Sequence, residues 1–508
     1  MKTATSGLEP LSGLDGTFLN LETLATPMHV GSLHLFEVPP GYQGDFEGSV
    51  RTMMAQRLVP VLRRRLAAMP LHMANPIWLQ GDVDLNQHIE RIHIPAPGNW
   101  AQLQTVVANL HADLLDRTRP LWMLYVLEGL AGGEQAYYFK IHHAMLDGQA
   151  GAALAAALFD TSPNPAPPAN IAPISTRIDR KPGALRLVAA AFRHDATQYV
   201  KLVRDLPGML RTLAGLVRSS GGQDLTAPSE PDSKSSAGKR GKSGMAFGPR
   251  TPLNVTITRE RGFAAATISL SEVKGIASAY EATVNDIVLT LCGGALRRYL
   301  ARLGSLPKKS LIASMPISLR VKGDTDFHTK ATLSLVSLAT TISNPIKRLQ
   351  AVRTHASATK AVAKKAKSVI PTDFPSIGVP WLVGTLASLY GRSRISNAIP
   401  PLANVLISNV PGPSMPLYVG GLRMTGYWPL SIVEHGVGLN ITLMSYAGKL
   451  CLGLTAARCA VPEVQMLADD FMSAFEELRA CTLAKRVKPM NAPKPDKPTI
   501  GKAKSKKS

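Results

Sequence analysis

Gln135–Asp160 reads QAYYFKIHHAMLDGQAGAALAAALFD, and this stretch decides the local architecture. Tyr137, Phe139 and Ile141 alternate with Tyr138 and Lys140, which predicts a strand running straight into His142 and His143. Beyond Asp147 and Gly148 the chain turns alanine-rich and apolar, which predicts a helix. Strand, polar turn and helix in that order belong to an α/β fold.

In extended backbone successive side chains point to opposite faces, so His142 and His143 cannot do the same work. One is free to face a cavity as a base while the other packs inside, and a neutral imidazole is the usual proton acceptor near neutral pH. The plain alternative is a pair of satisfied structural histidines. Asp147 has a plain role too: ahead of Gly148 and an apolar helix it suits an N-cap or a structural ion pair. His142 and Asp147 also make an H-x4-D spacing similar to that of glycerol-phosphate acyltransferases. As metal ligands the two lack a third partner within the segment, so no metal site is expected.

Other catalytic signatures are missing. No G-x-S-x-G elbow presents a serine, and no G-x-G-x-x-G prepares a dinucleotide site. GKRGKSG around Gly241 has Ser236 where a phosphate loop needs its first glycine. Without a nucleophile, His143 is left to activate an acceptor directly, which implies a ternary complex and no covalent intermediate.

Working outward, 508 residues leave room for two or three packed units, and 45% hydrophobic against 18% charged residues supports a large core. The formal charge of +22 favours anionic partners: phosphate groups, CoA, nucleic acid or acidic lipid. With 6% aromatic residues and a basic tail lacking them, no base-stacking platform is visible and no nucleic acid is expected. Cys292, Cys451, Cys459 and Cys481 form no CxxC pair, which fits a reducing compartment. The amino end has no apolar secretory core. Prolines and glycines interrupt the uncharged stretches Phe374–Gly391 and Ile395–Leu422, so both are expected to be buried or interfacial protein, not membrane spans.

Composition divides the chain into a first half at 1–175, a helical connector and flexible linker at 176–250, a second half at 251–484 and a basic tail at 485–508. Ser219–Pro249 is rich in Ser, Gly, Pro and Lys, and the tail carries nine Lys or Arg with four prolines. In the second half Thr283 and Asp286 resemble a capping box opening a helix. Leu439–Ser445 and Leu450–Thr455 alternate like two strands of a hairpin around Tyr446–Lys449. Two α/β halves are expected.

Several motifs converge on one resemblance. HHAMLDG at His142–Gly148, the preceding Arg119-Pro120-Leu121-Trp122, Asn285-Asp286, MPISLR at Met315–Arg320 and SNVPGP at Ser408–Pro413 together resemble the bacterial wax ester synthase/diacylglycerol acyltransferase family. The opening PLSGLDGTFLNLETLATPMHVG and the late HGVGLNITLMSYAGKL are similar to it as well, and the likeness runs from Pro10 to about Ala484. Met123 stands where the family often has an acidic residue, and Phe327–Lys330 where a Gly-Asn pair is common.

The resemblance implies two chloramphenicol-acetyltransferase-like α/β domains, each a mixed sheet with flanking helices, facing each other across a substrate tunnel. It implies acyl transfer from fatty acyl-CoA to diacylglycerol, in triacylglycerol synthesis, or to a long-chain alcohol, in wax ester synthesis, with no metal or organic cofactor. His143 is then the proton acceptor, with His142 and Asp147 supporting it. Asn285, in the first turn of its helix, stands in positive potential that suits an oxyanion or acceptor positioning, or simply a cap. Ser408 and Asn409 are expected to shape the tunnel wall. Insoluble substrates place such an enzyme in the cytoplasm, peripherally on the inner membrane or on lipid inclusions, where basic segments attract anionic lipid. The alternatives are a condensation-type enzyme using carrier-protein thioesters and a non-catalytic lipid-body protein with the same fold.

Overall fold

Alternating apolar positions in the first half produce short strands separated by amphipathic helices. In chain order these are β1 (Glu9–Pro10), α1 (Gly13–Leu21), β2 (His29–Glu37), α2 (Phe46–Arg57), β3 (Arg64–Ala67), β4 (Ile77–Gln80), β5 (Ile89–His93), α3 (Trp100–Ala112), β6 (Trp122–Glu128), β7 (Gln135–His142) and α4 (Gly148–Leu158). The second half has β8 (Arg261–Ser269), α5 (Leu270–Ala279), α6 (Val284–Arg302), β9 (Ile312–Ser318), β10 (Ala331–Ser337), α7 (Pro345–Ala366) and β11 (Val405–Val410). It continues with β12 (Tyr418–Val419), β13 (Leu422–Leu430), β14 (Leu439–Tyr446), β15 (Lys449–Ala457) and α8 (Val464–Val487). The structure, a computed structural model, describes residues 9–146, 148–164, 247–318, 331–366 and 400–487, with scattered positions between 183 and 204.

Two six-stranded mixed sheets dominate, in the orders β12-β13-β2-β7-β6-β5 and β10-β9-β11-β14-β15-β8. The expected α/β architecture of two sheet-bearing halves is therefore the architecture present. The first sheet is completed by the second half: β13 runs antiparallel to β2, with Leu430 opposite Gly31 and Arg423 opposite Glu37. β13 also lies against β15 of the other sheet. There a Cβ on Gly453 would stand inside contact distance of the Pro429 carbonyl, so glycine is required for the approach. Trp428 Nε1 donates to Thr267 Oγ1 at 3.0 Å and Ser431 N to Thr455 Oγ1 at 3.1 Å across the same seam.

Local chemistry explains the element boundaries. Thr283 and Asp286 form a reciprocal capping box at the start of α6, with Asp286 N donating to Thr283 Oγ1 and Thr283 N to Asp286 Oδ2. The β14–β15 hairpin is tighter than expected from its sequence. Tyr446 pairs with Lys449, and the two-residue turn Ala447–Gly448 has both φ angles positive, at 43° and 80°, as a turn matched to strand twist requires.

The core divides as the sheets do, with one apolar cluster centred on β2, β6, β7 and β13 and another on α6, β14, β15 and α8. α8 continues to Val487, so Lys485–Val487, expected in the basic tail, are helical; Lys485 Nζ donates to Ala279 O and sits over the Tyr280 ring. From Pro400 the stretch expected to be buried protein forms β11 inside a sheet, with Val405 and Ile407 fully enclosed. Phe374–Gly391, residues 488–508 and all of Ser219–Pro249 before Phe247 lie outside the described residues. Among the described residues no helix is long and apolar enough to cross a membrane.

Candidate active site

The two histidines separate at the end of β7. His142, completely enclosed, stands opposite His29 of β2, and its main-chain N–H donates to Leu121 O of the Pro-Leu-Trp motif at 2.9 Å. Its Nδ1 accepts from Ala144 N at 3.0 Å, which leaves the imidazole proton on Nε2, 3.3 Å from Glu22 Oε2. His143 leaves the strand in a turn, its main-chain N–H donating to Met28 O at 2.9 Å. Its ring stacks on Phe18 with centroids 4.2 Å apart and faces a cavity.

Glu22 is the supporting residue that sequence reasoning missed. Its side chain is 2% exposed and pairs with both His142 and Arg117, whose Nη2 lies 2.8 Å from Oε1. Burial raises the carboxyl, but the His142 ring and the Arg117 guanidinium beside it outweigh burial and hold the group at about 2. The folded pKa is thus depressed, so the stabilisation is present above the unfolded value of about 4.5 and is lost as pH falls towards 2. Glu22→Gln should lower unfolding free energy by about 2 to 3 kcal/mol at neutral pH, a gap that narrows below about 4.5 and closes as the pH drops through about 2. Denaturant midpoints of both proteins at the two pH values check this, and a pH-independent gap contradicts it.

Behind His142 the same face of β7 carries Lys140, also enclosed. Its Nζ donates to Leu110 O and Asp113 O at the carboxyl end of α3, where a cation offsets the helix dipole, and burial pulls the ammonium down to about 8. His111 of α3 links this layer to the second half: its Nδ1 is 2.6 Å from Tyr138 Oη and its Nε2 3.1 Å from Ser431 O. Burial holds His111 near 3, so it is neutral and Nε2 donates to the Ser431 carbonyl.

The cavity that His143 faces has a volume of about 720 Å³ and lies between the halves. The first half contributes an apolar wall, with Phe18 and Leu21 of α1, Val30 of β2, Phe139 and Ile141 of β7, and Leu154 and Leu158 of α4. The second half contributes a more polar wall: Ser408 and Asn409 of β11, the Ser431–Glu434 segment after β13, and Asn440 and Thr442 of β14. Ser32 and His34 form a further polar spot, Oγ to Nε2 at 2.7 Å, with the His34 ring packed against Tyr137, Tyr427 and Phe159. Burial holds His34 at about 3, and it pushes the Tyr427 phenol up to about 12.

The structure thus brings His143, Ser408 and Asn409 to one cavity and turns His142 away from it. It does not bring Asn285 there. Asn285 stands second in α6, half-buried and absent from the cavity wall, because the capping box fixes the helix start while Ile287, Val288 and Leu291 take the core-facing side. Asp147 lies outside the described residues, as do Leu319, Arg320 and Phe327–Lys330; α4 begins at the next residue after Asp147. Met123 is half-buried in β6 and does not line the cavity. Among the described residues no group of three or more His, Cys, Asp or Glu converges as metal ligands would.

Comparison with known proteins agrees along nearly the whole chain. The profile of the wax ester synthase/diacylglycerol acyltransferase catalytic domain matches residues 11–288, and that of the family's C-terminal domain matches 330–479. A Mycobacterium tuberculosis (strain CDC 1551 / Oshkosh) relative named for diacylglycerol O-acyltransferase activity is 36% identical over 474 residues, covering 92% of this chain and 99% of the relative. The solved wax ester synthase/diacylglycerol acyltransferase from Marinobacter aquaeolei VT8 superposes with a TM-score of 0.64 at 28% identity, over 93% of this chain and 99% of that one. The first condensation domain of the calcium-dependent antibiotic synthetase shares the fold alone, with a TM-score of 0.52 at 13% identity, over 94% of this chain and 97% of that domain.

Proposed function

Because this chain belongs to the wax ester synthase/diacylglycerol acyltransferase family, and is therefore an acyltransferase acting on diacylglycerol or a long-chain alcohol, we propose that His143 is its general base. The observation that carries the reading is the lining of the cavity between the halves. Among the described residues its titratable groups are His34, Tyr137, His143, Tyr427 and Glu434. His34, at about 3, is too weak a base, and both phenols keep their protons because burial raises them. Glu434 is also pushed upward by burial. His143, in the turn after β7 on the first-half wall and stacked on Phe18, is the proton acceptor of this reading.

In the proposed reaction the acceptor hydroxyl oxygen attacks the thioester carbonyl while His143 takes the hydroxyl proton. The tetrahedral intermediate then expels CoA sulfur, which receives that proton as the ester forms. The acyl group passes directly between substrates, and no serine or cysteine of the chain carries it. Cys292 and Cys451 are buried with thiols raised by burial, which argues against either as a nucleophile. The apolar first-half wall suits acyl chains, which gain about 0.8 kcal/mol per methylene removed from water.

The basic segment beyond α8 suits peripheral attachment to an anionic membrane or lipid inclusion. Initial rates of purified protein test the reading, with labelled palmitoyl-CoA varied against dioleoylglycerol and, separately, hexadecanol. Intersecting double-reciprocal lines are expected, and parallel lines would contradict direct transfer.

A further inference from the structure

The loop 22–28 joins two of the groups that hold His143 in place. On one side it leaves α1, whose Phe18 ring stacks on the imidazole, and on the other it enters β2 through Met28, whose carbonyl accepts from His143 N at 2.9 Å. Glu22 closes the loop across its base, its Oε2 accepting from Met28 N at 3.1 Å while it faces His142. Within it the chain doubles back, with Thr23 and Thr26 exchanging main-chain hydrogen bonds and their hydroxyls 2.8 Å apart.

The turn so formed is held from the other half of the molecule. Arg261, at the start of β8 and only 4% exposed, donates from Nη2 to Ala25 O at 2.6 Å. Its Nη1 turns back to the chain that carries it, donating to Thr258 O at 2.6 Å and to Arg259 O at 3.0 Å. Pairing of Arg261 with Ala457 of β15 fixes the backbone from which the side chain starts. One guanidinium thus ties the second sheet to the loop beneath the histidines. A planar fork with donors on both arms suits this task, whereas a lysine ammonium in the same place would serve one side and desert the other.

Enclosing a cation costs free energy that well-packed apolar side chains avoid. Burial pulls Arg261 down to about 10, so it stays charged at neutral pH, and the acceptors around it are the carbonyls of Ala25, Thr258, Arg259 and Glu260. Such an arrangement is a poor way to stabilise a fold and a good way to fix a distance. The far end of the same loop has a parallel tie: His29, the residue after Met28, donates from Nε2 to His111 O at 2.6 Å, and His111 in turn reaches Ser431 O of the second half.

We propose that Arg261 is a positioning residue, which by holding Ala25 from the second half sets where His143 stands relative to the wall across the cavity. The inference rests on the reading of His143 as the general base.

The test is a double-mutant cycle in single turnover, with labelled palmitoyl-CoA and dioleoylglycerol, at a temperature well below the melting point of every variant. Arg261→Met should lower the rate constant by about 10 to 10²-fold, the scale of loss that a displacement of about 1 Å produces. In the His143→Ala background the same substitution should change the rate by less than about twofold, because the group it positions is gone. Arg261→Lys, which keeps the charge and one arm, should lose less and show the same dependence on His143, and it carries the cycle if Arg261→Met does not fold. A purely structural arginine would give equal losses with and without His143. Equal losses, or a wild-type rate in a folded Arg261 variant, would overturn the proposal. A wild-type rate in His143→Ala alone would instead remove the general-base reading and the proposal with it.

Discussion

His143→Ala should lower kcat by about 10² to 10⁴-fold, the usual contribution of a positioned general base, while melting temperature and palmitoyl-CoA affinity stay near those of wild type. The ring lies on the cavity side and stacks on Phe18, so its removal leaves the sheet hydrogen bonds of β7 intact. His142→Ala should behave differently. That imidazole caps the Ala144 amide and faces Glu22 in a fully enclosed site, so its loss should appear as lower stability, about 2 kcal/mol, with a milder effect on rate. Rates, affinities and denaturant midpoints of both variants, taken side by side, decide the matter. Exchanged phenotypes would contradict the assignment of His143 as base.

Gly453→Ala should be the more damaging change for the fold, destabilising by about 3 kcal/mol or more, because the added Cβ meets a backbone carbonyl that cannot rotate away. That carbonyl is Pro429 O, in the strand that completes the first sheet and leads into the Ser431–Glu434 wall of the cavity. Pushing β13 off β15 therefore strains the seam between the sheets and displaces the wall opposite His143, so activity should fall with stability. Gly151→Ala is the comparison: it lies in α4 with an added Cβ at an ordinary 3.7 Å from Leu146, and helix propensity makes it neutral or mildly stabilising. Equal denaturant midpoints for the two variants would contradict the account of the seam.

What the sequence revealed about this site is local in origin. The alternation of Tyr137, Phe139 and Ile141 marked β7 as far as His142, whereas His143 lies in the turn that follows the strand. Thr283 with Asp286 announced α6, because a capping box is written within four residues. Contacts between distant residues left no such trace. Glu22 lies 120 positions before His142, and nothing in the sequence sets it apart from Glu9 and Asp15 of the same opening segment. The departure of β13 from the second half to pair with β2 was equally invisible, since strand periodicity identifies a face and not a partner.

Asn285 shows the limit from the other side. The helix terminus it occupies was correctly located, but the potential there does not specify which side chain turns towards a cavity.

Rapid-quench single turnover with labelled palmitoyl-CoA bound to excess enzyme and then mixed with dioleoylglycerol tests the central claim most directly. Direct transfer at His143 predicts that label passes from CoA to triacylglycerol with no protein-bound label at any time, and that His143→Ala slows this one step by about 10² to 10⁴-fold. Protein-bound label that rises and decays ahead of the triacylglycerol, or a His143→Ala enzyme that completes the turnover at the wild-type rate, would contradict it.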